Sequence, residues 1–94
     1  MKKFPLDAFF TSSYNSIGRR HRVAEARELC LTLGFAEQWF SDSNSFCGEK
    51  DNACIYINQI DERGLAIIIY ATQISDLFKW GKLFVWELGV DLVL

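Results

Sequence analysis

The chain has little proline and no low-complexity or repeated segment. Pro5 is the only proline among 94 residues, and no stretch has the composition of a linker. Because linkers are usually rich in proline, glycine or polar residues, these absences predict a single domain over 1–94. The start of the chain interrupts any apolar run with Asp7 and Thr11, which is not the pattern of a secretory leader. We therefore expect a cytoplasmic protein.

Histidine is also scarce, since His21 is the only one. A nucleophile–histidine pair would have to use His21, and its arginine neighbours make this a poor place for a general base. The chain has neither a G-x-x-x-x-G-K nor a G-x-G-x-x-G phosphate-binding pattern. The acidic pair at 61–62 is typical of a solvated turn. We therefore predict no enzyme activity, no catalytic residue and no cofactor.

The chain has three cysteines, and this odd number excludes the pairing of all of them within the chain. Cys30 falls on the apolar stripe of a predicted helix and is expected in the core. Cys47 and Cys54 flank a turn-like stretch, so their thiols would face each other if the two segments form a hairpin. Six intervening residues and one histidine do not fit a zinc site, and we predict no metal. Whether these two cysteines form a disulfide stays open.

Neither sign of charge dominates. Twelve acidic and ten basic residues give a net charge of −2, which argues against a nucleic-acid partner. The exception is the run Arg19, Arg20, His21 and Arg22, a candidate site for phosphate, RNA or another anion. The alternative is a solvated helix face on which Glu25 pairs with His21 or Arg22.

No apolar run is long enough to cross a membrane. The C-terminal stretch 77–94 is rich in large apolar residues, but Lys79, Lys82, Glu87 and Asp91 interrupt it. A helical span needs about twenty apolar residues. We therefore expect no membrane span and interpret the stretch as a helix that ends at Gly89 and a short strand after it.

Apolar residues make up half of the chain and aromatic residues 15%, which predicts a folded domain. Apolar periodicity predicts a first helix over 16–33 and a second from about 75 to 89. Strand-like runs lie at 35–40, 54–60, 65–72 and 90–94, and the turn at 61–64 predicts a hairpin. The expected fold is an α+β sandwich of three to four antiparallel strands with two helices on one face, in the order α-β-β-β-α-β. Residues 1–15 fit a short strand, a short helix or an arm packed on the core, and these alternatives stay open.

The second helix carries an unusual polar side. With about 100° per residue, Leu77, Phe84 and Leu88 share one half of the helical wheel, together with Phe78, Val85 and Gly81. Gly81 would allow a close approach to the sheet. On the other half, large apolar side chains lie among lysines, and we predict that they form an interface: Trp80, Leu83 and Trp86, with Lys79 and Lys82 as its rim. The N-terminal arm is the alternative cover for this patch.

These patterns favour a small protein-interaction module without catalysis, which binds a protein partner or a second copy of itself. Its size and acidity are typical of small bacterial or phage accessory proteins. A different hypothesis is a small-molecule pocket between the sheet and the helices, lined by Trp39, Tyr56 and Tyr70. Anion or RNA binding through the run 19–22 is a third.

Overall fold

The computed structural model describes residues 10–16, 21–41, 44–61 and 64–93. Its elements are, in chain order, β1 (Phe10–Asn15), α1 (Val23–Thr32), β2 (Ala36–Ser41), β3 (Ser45–Lys50), β4 (Ala53–Asp61), β5 (Gly64–Ala71), α2 (Ile74–Leu88) and β6 (Asp91–Val93). The strands form one six-stranded sheet in the order β2-β3-β4-β5-β1-β6. Every pair of neighbouring strands is antiparallel.

The architecture is compatible with the α+β class, but the predicted sheet of three to four strands is wrong. The sheet has six strands, and the order is β-α-β-β-β-β-α-β. The main omission from the predicted sheet is β1, whose segment was left open among a strand, a helix and an arm. Its strand is polar apart from Phe10 and Tyr14, so it shows little apolar alternation. Pairing with both β5 and β6 places it inside the sheet. Residues 1–9 of the segment 1–15 lie outside the described part of the chain.

The first helix is shorter than expected at its start. It begins at Val23, and Ser16, where the predicted helix started, extends the pairing of β1 with β5 instead. The Ser16 backbone N–H donates to the Leu65 carbonyl at 3.0 Å, and the Ser16 hydroxyl accepts from the Leu65 N–H at 2.9 Å. Ser16 is fully buried, so both of its polar groups need these partners.

Both helices cover the same face of the sheet. α1 packs on β3 and β4, and α2 packs on β5 and β1. Alternate strand positions face this layer, as the period of two requires. One contiguous core results, and its largest fully buried side chains on the two central strands are those of Ile55, Ile57, Leu65, Ile67 and Ile69. β5 lies inside the sheet, between β4 and β1.

Two glycines shape α2 as the sequence predicts. Gly89 ends the helix with a left-handed backbone (φ 62°), and its N–H donates to the Val85 carbonyl. Gly81 lies against β1, where a Cβ atom would collide with the Tyr14 hydroxyl and come within 2.9 Å of the ring carbon that bears it. The close approach of α2 to the sheet through Gly81 is therefore confirmed.

The C-terminal helix α2 has 15 residues, fewer than a membrane-spanning helix needs. Within the described residues, neither α1 nor α2 is both long and apolar enough to cross a membrane. The stretch after α2 instead adds a three-residue strand, β6, to the edge of the sheet beside β1.

Candidate functional site

The helix α2 is rotated about its axis relative to the predicted orientation. Its buried side chains are those of Leu77, Trp80, Phe84 and Leu88, with Gly81 among them. The centre of this buried arc lies about 45° from the predicted centre, on the side of Trp80, at about 100° per residue. As a result, one member of the predicted interface is in the core, and two residues predicted for the core reach solvent.

Trp80 is the residue that sets this orientation. It is only 5% exposed, and its indole meets the Phe35 ring edge-on at a centroid distance of 4.9 Å. The ammonium groups of Lys79 and Lys50 lie 4.7 and 5.4 Å from the centre of the Trp80 ring. An indole flanked by two cations gains cation–π attraction in addition to its apolar burial. Trp80 is thus a packing residue, which corrects its assignment to an exposed patch.

The remaining members of the predicted interface differ in their exposure and location. Leu83 is partly buried against the core, whereas Trp86 is 86% exposed. Lys82 is exposed and borders a groove beside Trp86, while Lys79 lies over the Trp80 ring. The structure therefore does not bring Trp80, Leu83 and Trp86 together on one surface.

A different apolar surface appears on the side of α2 that faces β1 and β6. Phe78, Val85 and Trp86 on α2 are 60%, 41% and 86% exposed, and Leu92 on β6 is 50% exposed. They border an open groove of about 720 Å³, whose floor includes Tyr14 and Gly81. Its lining is predominantly apolar, with Lys82 as its charged residue. We call this surface, made by Phe78, Val85, Trp86 and Leu92, the α2 groove.

Sequence reasoning missed Phe78, Val85 and Leu92 as surface residues. The spacing of Leu77, Gly81, Phe84 and Leu88 alternates steps of four and three, which is the pattern of one buried helix face. Centring the wheel on that face would have left Phe78 and Val85 at its margin. This margin is uncovered because β6 forms the edge of the sheet. The residue spacing within α2 carries no information about the position of β6.

The three aromatic residues predicted to line a pocket do come together. The Tyr56 ring lies 6.3 Å from the Trp39 ring and 5.5 Å from the Tyr70 ring, measured between centroids. Their location differs from the prediction, because strand register places them on the face opposite the helices. Among the described residues no helix covers this outer face. The three rings therefore form an open aromatic row, and the expected pocket between sheet and helices is corrected to a surface.

Two cysteines lie beside this row. Cys47 stands opposite Trp39 on one side and Tyr56 on the other, and Cys54 stands opposite Glu49 and Tyr70. The sulfur atoms of Cys47 and Cys54 are 4.0 Å apart. The prediction that these thiols face each other across a hairpin is thereby confirmed, and both are free thiols in this structure.

The basic run is only partly described. Arg19 and Arg20 lie outside the described residues. The His21 ring lies 3.4 Å from the Glu25 carboxylate, whose other oxygen accepts from the Arg22 backbone N–H at 3.2 Å. Glu25 thus stabilises the first turn of α1 and pairs with His21, as expected of the solvated helix face. Nothing in residues 21–25 adds support to an anion site.

Within the described ranges, no group of three or more histidine, cysteine or acidic residues could hold a metal ion. The surfaces that remain as candidates are the α2 groove and the outer sheet face. Comparison with protein-family models, with curated proteins and with solved structures gives no significant match for this chain.

Proposed function

We propose that the chain is a non-catalytic protein-interaction module of the cytoplasm, that the α2 groove is its contact surface, and that a second copy of the chain is its first occupant. The observation that carries the proposal is the exposure of Trp86 beside the groove. An indole that is 86% in water next to an apolar groove of about 720 Å³ is an unfavourable arrangement for an isolated domain.

The geometry favours a two-fold contact. Trp86 projects beside the groove that it borders, so each copy offers both a protruding ring and a groove to receive one. A two-fold axis pairs the same patch with itself, and such isologous contacts are the commonest in soluble oligomers. Tryptophan is enriched among the residues that dominate interface energies.

The available surface is of adequate size. A stable interface covers about 800 Å² on each partner, which is roughly one seventh of the 5694 Å² surface of the chain. The exposed side of α2 and the adjoining β6 supply apolar area for such a contact, since Leu92 and Val93 are each about half exposed. Lys82 at the groove border would form part of its polar rim.

The test is the molar mass in solution. We expect light scattering on the eluting peak to give the mass of a dimer for the wild-type chain and of a monomer for Trp86→Ser. Trp39→Ser is the matched control, because it removes the same side chain from the outer sheet face and should leave the dimer intact. A monomeric wild type at concentrations up to the millimolar range would exclude the second copy as occupant.

A second candidate function is supported by the aromatic row of Trp39, Tyr56 and Tyr70. Three contiguous rings on an open sheet face can stack a flat ligand. A thermal-shift screen of planar metabolites would support this function if a stabilising compound loses its effect in Trp39→Ser and keeps it in Trp86→Ser. A screen without any such compound would leave the groove as the favoured surface.

A further inference from the structure

The two cysteines of the outer sheet face differ in exposure although they touch. Cys47 on β3 is 1% exposed, whereas Cys54 on β4 is only partly buried. Strand register places them as diagonal neighbours on one face, since Cys47 pairs with Tyr56 and Cys54 with Glu49. Although they are not directly opposite each other, their sulfur atoms are 4.0 Å apart. One thiol is therefore accessible, and a second lies immediately behind it.

The contact also makes the two thiols chemically unequal. A Cys54 thiolate can only accept in the hydrogen bond between the two sulfurs, and this bond with Cys47 lowers the pKa of Cys54 to about 7 despite partial burial. The same hydrogen bond, together with burial, raises the pKa of Cys47. The groups that face Cys54 are Cys47, Glu49, Tyr56 and Tyr70. Of these, Tyr56 assists the thiolate by a hydrogen bond and the Glu49 carboxylate opposes it.

We propose that Cys54 and Cys47 form a thiol–disulfide exchange site for neutral or cationic disulfides of low molecular weight, in which the accessible Cys54 attacks and the buried Cys47 resolves. The geometry supplies both requirements, an accessible nucleophile and a second thiol in contact with it. An attacking thiol is most effective when its pKa is near the ambient pH, which Cys54 satisfies. Nothing in this site involves the α2 groove, so the two proposals are independent.

The chemistry balances in two steps. In the first, the Cys54 thiolate attacks one sulfur of the disulfide R–S–S–R, a bond forms between Cys54 and one R–S group, and the other leaves as R–S⁻. In the second, Cys47 loses its proton and attacks the Cys54 sulfur, which expels the second R–S⁻. The products are a Cys47–Cys54 disulfide and two R–S⁻ groups, each of which takes up a proton from solvent or from Cys47. The protein dithiol is oxidised by two electrons and the small disulfide is reduced.

The charge preference follows from Glu49. Glu49 pairs with Cys54 on the neighbouring strand, and its negative charge raises the pKa of Cys54. An anionic disulfide such as oxidised glutathione would bring further negative charge to this carboxylate, whereas cationic cystamine would be attracted. The preference should weaken at high salt if Glu49 acts through space.

The first test is product mapping after reaction of the wild-type chain with cystamine. We expect one internal disulfide between Cys47 and Cys54, with Cys30 still reduced, because Cys30 is fully buried and its burial raises its pKa to about 12. In Cys47→Ala the reaction should stop at a stable mixed disulfide on Cys54. In Cys54→Ala no adduct should form in the folded protein. A stable mixed disulfide on wild-type Cys54, or modification of Cys30 as fast as Cys54, would overturn the proposal.

The second test measures rates. Cystamine should react several-fold faster than oxidised glutathione, and Glu49→Gln should reduce that ratio; equal rates in the wild type would refute the charge preference.

The alkylation rate of Cys54 should rise with pH through a midpoint near 7, and the midpoint should move upward in Cys47→Ala, where the donor is lost. An unchanged midpoint would contradict the role of Cys47. If a cysteine variant does not fold, the wild-type product map and rate ratio still decide the question.

Discussion

The three tryptophans occupy three distinct environments. Trp80 is 5% exposed in the core, Trp39 is 43% exposed on the outer sheet face, and Trp86 is 86% exposed at the α2 groove. Helical spacing alone treats Trp80 and Trp86 as similar, because they lie on the same half of the wheel. Contacts with Phe35 and with the Lys50 ammonium group separate them, and both of these residues lie outside α2.

This difference gives a prediction for stability. Trp80→Ala should lower the free energy of unfolding by about 3–5 kcal/mol, because it removes a buried ring and leaves a cavity. Trp86→Ala should change the free energy of unfolding of the monomer by no more than about 0.5 kcal/mol, as expected for an exposed position. Urea unfolding followed by circular dichroism at low protein concentration measures both. Similar losses for the two variants would mean that Trp86 is also packed within the chain.

At the scale of elements, Gln59 connects the start of α1 to the β4–β5 hairpin. Its side-chain oxygen accepts from the Val23 N–H at 3.1 Å, and its amide nitrogen donates to the carbonyls of His21, Asp61 and Gly64. The Val23 N–H is among the donors at a helix start that have no partner within the helix. One side chain thus supplies the cap that Arg22, the residue before α1, does not provide.

Gln59→Ala should therefore lower the free energy of unfolding by about 1–3 kcal/mol, since it leaves partly buried backbone groups without partners. Asn58→Ala is the matched control, because Asn58 is exposed on the opposite face of the same strand and should cost much less. Hydrogen exchange should also quicken at the first turn of α1 in the Gln59 variant alone. Equal losses in the two variants would assign the effect to strand propensity.

The elements that sequence patterns predicted are those whose signal is local. The β4–β5 hairpin, the termination of α2 at Gly89 and the close contact at Gly81 follow from short stretches that carry their own turn or packing information. β1 was missed because its residues 11–13 are polar and its strand is defined by pairing with segments more than fifty residues away. The orientation of α2 was missed for the same reason, since it depends on Phe35 and Lys50. The α2 groove needs both pieces of information, so the sequence selected Trp86 but not Phe78, Val85 and Leu92.

At the scale of the whole molecule, two helices cannot cover a six-stranded sheet on both sides. α1 and α2 cover one face over β3, β4, β5 and β1, and within the described residues no helix covers the outer face or the region above β6. A chain in which half of the residues are apolar then has more apolar surface than one helical layer can bury. The thiol pair and the aromatic row lie on the first of these surfaces, and the α2 groove lies on the second.

Burial of the α2 groove by a second copy would couple folding to concentration. Because only the folded chain dimerises, the melting temperature of a dimeric protein rises as the protein concentration increases. We expect the wild-type melting temperature to rise by several degrees between micromolar and near-millimolar protein, at a scale of about 4–8 °C per kcal/mol for a domain of this size. Trp86→Ser should melt at one temperature throughout this range, whereas Trp39→Ser should keep the wild-type slope at a lower absolute value, because it loses its contact with Tyr56. A concentration-independent wild type would show that the groove is not filled by a copy of the same chain, and the exposed Trp86 would then require a partner of different sequence.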